Sequence, residues 1–501
     1  MTHYSDDLLT AMSCARHGTV NRRRCTSFAQ HSNPPVTNLH DTVTIKMLPK
    51  NILLDIFDSY MQKDFLGEAW HTLVHVCQQW RSVVFGSPHC LKLRLVCKAG
   101  TRVRETLGFW PDLPIDILIW FIDPTSDMDN VIAALEHNDR VRKVDLRGVQ
   151  SFQAEKVLSV MQKPFPELTD LKLGWNGGGT VPVFPESFLG GSAPGLQTLY
   201  LDGIPTPTLR KLVLFSTNIV TLSLGDLSRS VYISPEELVT CLSALTKLGR
   251  LSFEFVSPPS LPDQESRQPL STTRIVFPSL TFFSFDGVSD FLEDFVARID
   301  APLLDDIYIT FFNQPSSDTS PLVKLIRRTP NFKAFKEARV IFYGGKVEVM
   351  VTLPSSDKSK SIKLEIQCAQ SALYLPVITQ ICSPSFLPLP TVEHLYIFEN
   401  RFLLFSPYWA DDEIAQWLEI FHSFTAVKNL YLSNDLAPRI VPMLQELVGE
   451  RVAEVLPALQ NIFLQDLRKS SKRVRKAIQQ FVAARQLSGY PVTVHPWKID
   501  F

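Results

Sequence analysis

No two of the eight cysteines in this 501-residue chain stand at the Cys-x-x-Cys spacing of a zinc or redox site. They are scattered through apolar strings, which fits buried thiols in a reducing compartment rather than a disulfide framework. There is no Gly-rich phosphate loop and no Gly-x-Ser-x-Gly elbow. Gly177-Gly178-Gly179 follows a strand-like run, but no lysine and no helix signal come after it. His71 and His75 are four apart, a metal-ligand spacing, yet no Glu lies between them and no third ligand is evident. The sequence therefore gives no catalytic residue, no metal site and no cofactor. Net charge is −1, so there is no bulk attraction to nucleic acid or to a membrane surface. The longest apolar run, near Ile115–Ile122, contains Asp116 and is too short to span a bilayer. The N-terminus carries Asp6 and Asp7 and lacks the continuous apolar core of a secretory signal. A cytoplasmic or nuclear protein is expected.

What is present begins at Leu48-Pro49-Lys50-Asn51-Ile52-Leu53-Leu54-Asp55-Ile56-Phe57. Pro49 suits a first helical position, because its fixed φ helps and its missing N–H is not needed there. Apolar residues at Ile52, Leu53, Ile56, Phe57 and Tyr60 keep helical spacing. A second helix is predicted with Leu73, Val76, Cys77, Trp80, Val83 and Val84 on one face, stopped by Gly86. Helices this short bury little surface alone, so part of their apolar face is meant for a partner.

Before this head, residues 1–44 are polar and aperiodic, with Arg22-Arg23-Arg24 and Pro34-Pro35, and read as a disordered leader. After it the period changes. Leu91-Lys92-Leu93-Arg94-Leu95 alternates like a strand, as does Ile115-Asp116-Ile117. A six-residue pattern then recurs: apolar, any, any, apolar, any, apolar. Copies begin at Val141, Leu168, Leu196, Ile219, Leu248, Leu280, Leu304, Val392, Val427 and Leu459. Helix-like pieces such as Phe152–Met161, Pro235–Leu248 and Phe291–Ile299 lie between them. Residues 338–368 break the rhythm. Gly344-Gly345 between two alternating runs marks a hairpin, and an antiparallel meander is predicted inside the parallel array.

The stretch from 45 to 87 resembles the F-box, on Leu-Pro, Ile-Leu, Ile-Phe and then Leu73-x-x-Val76-Cys77-x-x-Trp80-Arg81. Many F-boxes carry Glu where this chain has Asn51. The resemblance implies a docking face for a Skp-type adaptor, and through it a cullin–RING ubiquitin ligase. That face would use Leu48, Pro49, Ile52, Leu53, Ile56, Phe57, Val76, Cys77 and Trp80.

Residues 88–501 resemble an irregular leucine-rich-repeat array, with one strand and one helix per repeat stacked as a solenoid. The usual Asn appears at Asn176 and is mostly absent elsewhere. The tail resembles a closing segment of fungal F-box proteins. The residues behind this are Asp411-Asp412, Trp417-Leu418, Phe424–Val427, Ala437–Ile440, Glu446–Arg451 and Phe481–Gly489. Residues 465–501 are expected to cap the array. The fold class is α/β: an N-terminal helical module followed by a parallel-sheet solenoid.

Function then follows from strand alternation. The fifth position of the pattern should face the open side of the sheet, and it is aromatic at Tyr200, Tyr308, Tyr396, Tyr431 and Phe463. Rigid aromatic side chains are common interface anchors, and tyrosine is equally a good strand residue. Arg468, Lys469, Lys472, Arg473, Arg475 and Lys476 form a basic run, suited to an acidic or phosphorylated partner, to an import signal or to a solvated helix face. The implied role is a ligase substrate receptor that binds an unknown target protein. The alternative is a protein-binding scaffold without a ligase.

Overall fold

The computed structural model describes residues 48–64, 68–98, 101–119, 128–176, 183–203, 210, 212–213, 216–227, 233–255, 274–312, 320–354, 359–368, 370–400, 413–445, 447, 451, 454–465 and 472–497. The leader, Gly177–Gly179, Asp411, Asp412, Arg468 and Lys469 lie outside the described residues. Two compact units divide at Met1–Leu53 and Leu54–Phe501.

In the first unit the described residues start at Leu48, which is half-buried. Pro49 is exposed, and its carbonyl accepts from Leu53 N at 3.1 Å, which starts the helix Lys50–Met61.

The second unit opens with the rest of that helix. Phe57 is fully buried and tilts against Trp80 at 4.7 Å. The single second helix predicted from the periodicity is instead two, Trp70–Val74 and Gln78–Phe85. Cys77 between them is extended, with φ −161° and ψ 169°, and Val76 is 53 % exposed rather than on a buried face. Gly86 ends the helix with φ −79°, a conformation open to any residue. The strand predicted over Leu91–Leu95 also gives way. Leu91 and Leu93 are buried, but Lys92 has φ +48° and Leu93 N donates to Pro88 O, so the chain turns there and strand begins only at Leu95.

From Leu95 onward, sixteen described strands form one sheet. All ten predicted six-residue copies are strands, from Val141–Gln150 to Asn461–Gln465. Neighbouring strands pair in parallel, and helices such as Ser289–Ala297 and Lys472–Leu487 connect them. The buried layer lies between sheet and helices: Leu199, Leu222, Leu251, Phe283, Ile307, Leu395, Leu430 and Ile462 all have zero exposure. Six phenylalanines thicken it in mid-array. Phe295 packs against Phe253 at 5.2 Å and Phe283 at 5.7 Å, and Phe291 against Phe255 and Phe285.

The meander is present, and its order is reversed. Asp306–Phe311 pairs in parallel with Lys360–Gln367, the last strand of the meander. Lys346–Leu353 pairs antiparallel with both Lys360–Gln367 and Glu337–Tyr343. Glu337–Tyr343, the first strand of the meander, then pairs in parallel with His394–Glu399. Gly345, at φ +96°, supplies the left-handed residue that the tight turn requires. Past the helix Lys472–Leu487 the chain adds a further parallel strand, Thr493–Trp497. Among the described residues no helix is long and apolar enough to cross a membrane.

Candidate functional site: an aromatic ladder on the open face

Register decides which side chains meet. One cross-strand row on the open face begins Asp145, Lys172, Tyr200, Ser223, Ser252, Ser284, Tyr308. It continues Lys363, Met350, Arg339, Tyr396, Tyr431, Phe463, His495. All five predicted aromatic residues lie in this row and are half-buried. Only three of them meet. Tyr396 stacks on Tyr431 at 4.2 Å and 13°, and Tyr431 on Phe463 at 4.4 Å and 10°. Tyr308 is four strand steps from Tyr396, about 19 Å at the usual strand spacing, because the meander intervenes. Tyr308 packs on Phe282 instead, and Tyr200 bonds to Asp202.

The ladder is longer than the sequence pattern implied. His495 continues it, 5.2 Å from Phe463, and Trp497 lies across it, 5.4 Å from Tyr431 and 6.0 Å from Tyr396. The Arg339 guanidinium covers the other end, 5.4 Å from the Tyr396 ring. His495 and Trp497 sit in a segment expected to be only a cap. The signal for them was the alternation Thr493, His495, Trp497. Pro496 masked it, since proline argues against a strand except at a sheet edge, where it is found here.

Beside the rings, two residues earlier on each strand, runs a hydrogen-bonded row. Asn461 Nδ2 donates to Asn429 Oδ1 at 2.7 Å, Thr493 Oγ1 donates to Asn461 Oδ1 at 2.6 Å, and Asn429 Nδ2 lies 3.3 Å from His394 Nδ1. The Thr493 hydroxyl has one proton, and Asn461 takes it. His495 Nε2, 2.8 Å from Thr493 Oγ1, must then be the donor of that pair. Burial, followed by the neighbouring Tyr431 hydroxyl, pushes the Tyr396 phenol above its ordinary value. The platform is thus a set of mutually fixed rings with edges and hydroxyls on the open face.

Mid-array, the same face carries carboxylates. Asp202 lies between two glycine positions. A Cβ on Gly225 would meet Asp202 Oδ1 at 2.9 Å and Tyr200 Oη at 3.3 Å, so glycine there leaves room for both. Burial raises the Asp202 pKa, and Asp226 raises it further, against the Tyr200 hydroxyl and Arg147. A carboxyl raised in the fold binds more protons folded than unfolded, so its contribution to stability falls as pH rises through that window. Asp202→Asn is therefore expected to raise the melting temperature at pH 7. The gain should shrink as pH falls toward the ordinary carboxylate value of 3.8. Melts of both proteins across that range test this, and a loss at pH 7 would refute it.

The residues named for adaptor docking divide. Leu53 and Phe57 are fully buried and hold the fold, which corrects their assignment to a contact face. Ile52, Ile56 and Val76 are 40 %, 42 % and 53 % exposed, while Cys77 and Trp80 are half-buried. His71 stacks on Trp110 at 5.1 Å, and burial lowers its pKa. Among the described residues no group of three or more His, Cys, Asp or Glu side chains is placed to hold a metal. Burial pushes the Cys382 thiol up to about 12, which makes it inert at neutral pH.

These features define the class: an α/β chain with a long, mostly parallel, leucine-rich-repeat-like sheet and one open face. No family model matches the chain, and no curated protein matches it. Among solved structures it is similar to the leucine-rich repeat-containing protein LegL7 from Legionella pneumophila. That match has 15 % identity and a TM-score of 0.26 over 81 % of this chain and 98 % of that one. The likeness is loose, and the repeat architecture rests on the register above.

Proposed function

We propose that the chain is a substrate-receptor subunit of a cullin–RING ubiquitin ligase of the SCF type. Its F-box-like helices dock a Skp-type adaptor, and its open sheet face holds a target protein. It performs no bond chemistry, and acts by raising the target's effective concentration beside the conjugating enzyme. The observation that carries this reading is the contrast along Lys50–Met61. Ile52, Ile56 and Tyr60 recur every fourth residue and are each at least 40 % exposed, while Leu53 and Phe57 beside them are sealed. A helix that leaves such a stripe in water is built to meet a partner. Asn51 favours a second reading, a protein-binding scaffold without a ligase, because many F-boxes have Glu at that position.

Leu48→Ala with Pro49→Ala, and separately Ile56→Glu, should weaken adaptor affinity by about 2 kcal/mol or more, roughly thirtyfold. Titration calorimetry with purified adaptor measures this, with circular dichroism as the check on the helices. Unchanged affinity in intact variants would remove the ligase reading and leave the scaffold.

A further inference from the structure

A second surface feature lies on the helix side of the sheet, away from the ladder. The helix Lys472–Leu487 and the strands Asn461–Gln465 and Thr493–Trp497 frame a groove of about 320 Å³. Its floor is Leu464, Ile478, Val482 and Val494, with Arg475 at one end. Ala483 lines it, and Leu487, one turn further along that helix face, is 90 % exposed. The outer face of a terminal repeat is normally polar, because nothing stacks on it. Here Val482, Ala483 and the exposed Leu487 form an apolar patch alongside Gln479 and Gln486.

The charge beside the groove says what fits. Lys472, Arg473, Arg475 and Lys476 are all exposed, and among the described residues none has a carboxylate partner. They occupy the first turns of the helix, where no acidic residue stands. Cations there oppose the positive end of the helix dipole and cost stability. The same cations would attract an anionic partner. A second copy of this chain is a poor occupant, since it would bring the same four cations against each other.

We propose that this groove docks an amphipathic helix of a partner protein, its apolar face on Val482 and Ala483 and its acidic residues toward Arg475 and Lys476. The array already packs helix on helix this way. Ala437–Gln445 lies against the opposite side of Lys472–Leu487, with Gln445 Nε2 donating to Gln480 Oε1. From Arg475 to Gln486 the groove runs about 17 Å, the length of three helical turns.

The probe is a synthetic peptide of about 18 residues, with Leu at i, i+3, i+4 and i+7 and Glu on the flanking positions. Its binding to the full chain is read by fluorescence anisotropy. Saturable binding that weakens with salt is expected. Ala483→Glu and the pair Arg475→Glu with Lys476→Glu should each weaken it at least tenfold. These residues are exposed, so Ala483→Glu should leave melting unchanged, and the charge reversal, which relieves the unfavourable cations at the helix start, should not lower it. A peptide with Lys in place of Glu should bind only the charge-reversed variant, which separates recognition from a failure to fold. Three outcomes would overturn the proposal: no saturable binding, equal binding of both peptides to the native chain, or self-association of the chain that Ala483→Glu abolishes.

Discussion

Phe295→Ala is expected to destabilise the array by about 3–5 kcal/mol in urea denaturation. The ring is fully buried on the helix Ser289–Ala297. It meets Phe253 edge-on at 84° and lies nearly parallel to Phe283 at 14°. Both neighbours sit on strands fixed on each side by backbone pairing, so the void cannot close by collapse. Repeat arrays couple mainly to their nearest neighbours. Hydrogen exchange should therefore show the loss first in Arg250–Glu254 and Phe282–Gly287, and only weakly in Asn461–Gln465. Phe152→Ala, at a position 60 % exposed, is the control and should stay within about 0.5 kcal/mol. A loss below about 1 kcal/mol for Phe295→Ala would mean that the aromatic layer is not the tight core described.

The second large effect separates the two faces of one strand. Leu430→Ala should cost about 2–5 kcal/mol, because Leu430 is wholly enclosed. Tyr431 next to it is on the open face but not a free surface residue, since rings stack on both its sides at 4.2 and 4.4 Å. Two such contacts at about 0.5–1.5 kcal/mol each make Tyr431→Ala cost about 1–3 kcal/mol. Tyr431→Phe keeps both stacks and should melt near the native value. The variants should part again in target capture, scored as recovery of ubiquitinated partners. Leu430→Ala should keep capture at temperatures where it is folded, and Tyr431→Ala should lose most of it. Full recovery by Tyr431→Ala would take the ladder out of target binding while leaving the register intact.

Much of this was legible because one pattern carried two signals. In Leu196-Gln197-Thr198-Leu199-Tyr200-Leu201 the leucines mark burial, and their alternation marks strand and face together. The same logic misled at Leu91 and Leu93, where two buried leucines are spaced like a strand but lie on a turn. It misled again at Cys77, where apolar spacing runs on while the backbone breaks without a glycine or proline to announce it. Gly344-Gly345 showed that a hairpin exists. It could not show that the last strand of the meander lies nearest the preceding repeats, since that is settled by pairing between distant segments. The ladder was half legible for the same reason. Tyr396, Tyr431 and Phe463 follow the repeat, while Arg339 and His495 reach the row through strands outside the repeat pattern.

The reversed meander also sets a clock on the ribosome. Every earlier repeat finds its neighbour within a few tens of residues, so the sheet can grow as the chain emerges. Asp306–Phe311 cannot, because Ser361, which donates to Asp306, is 55 residues further on. At about 5–20 residues per second that is roughly 3–11 s with a hydrophobic sheet edge uncovered. Glu337–Tyr343 emerges early but has no place until the segments on both its sides have been made. The nascent chain thus holds an open edge in mid-synthesis, which is where a chaperone would be needed and where a truncated product would aggregate.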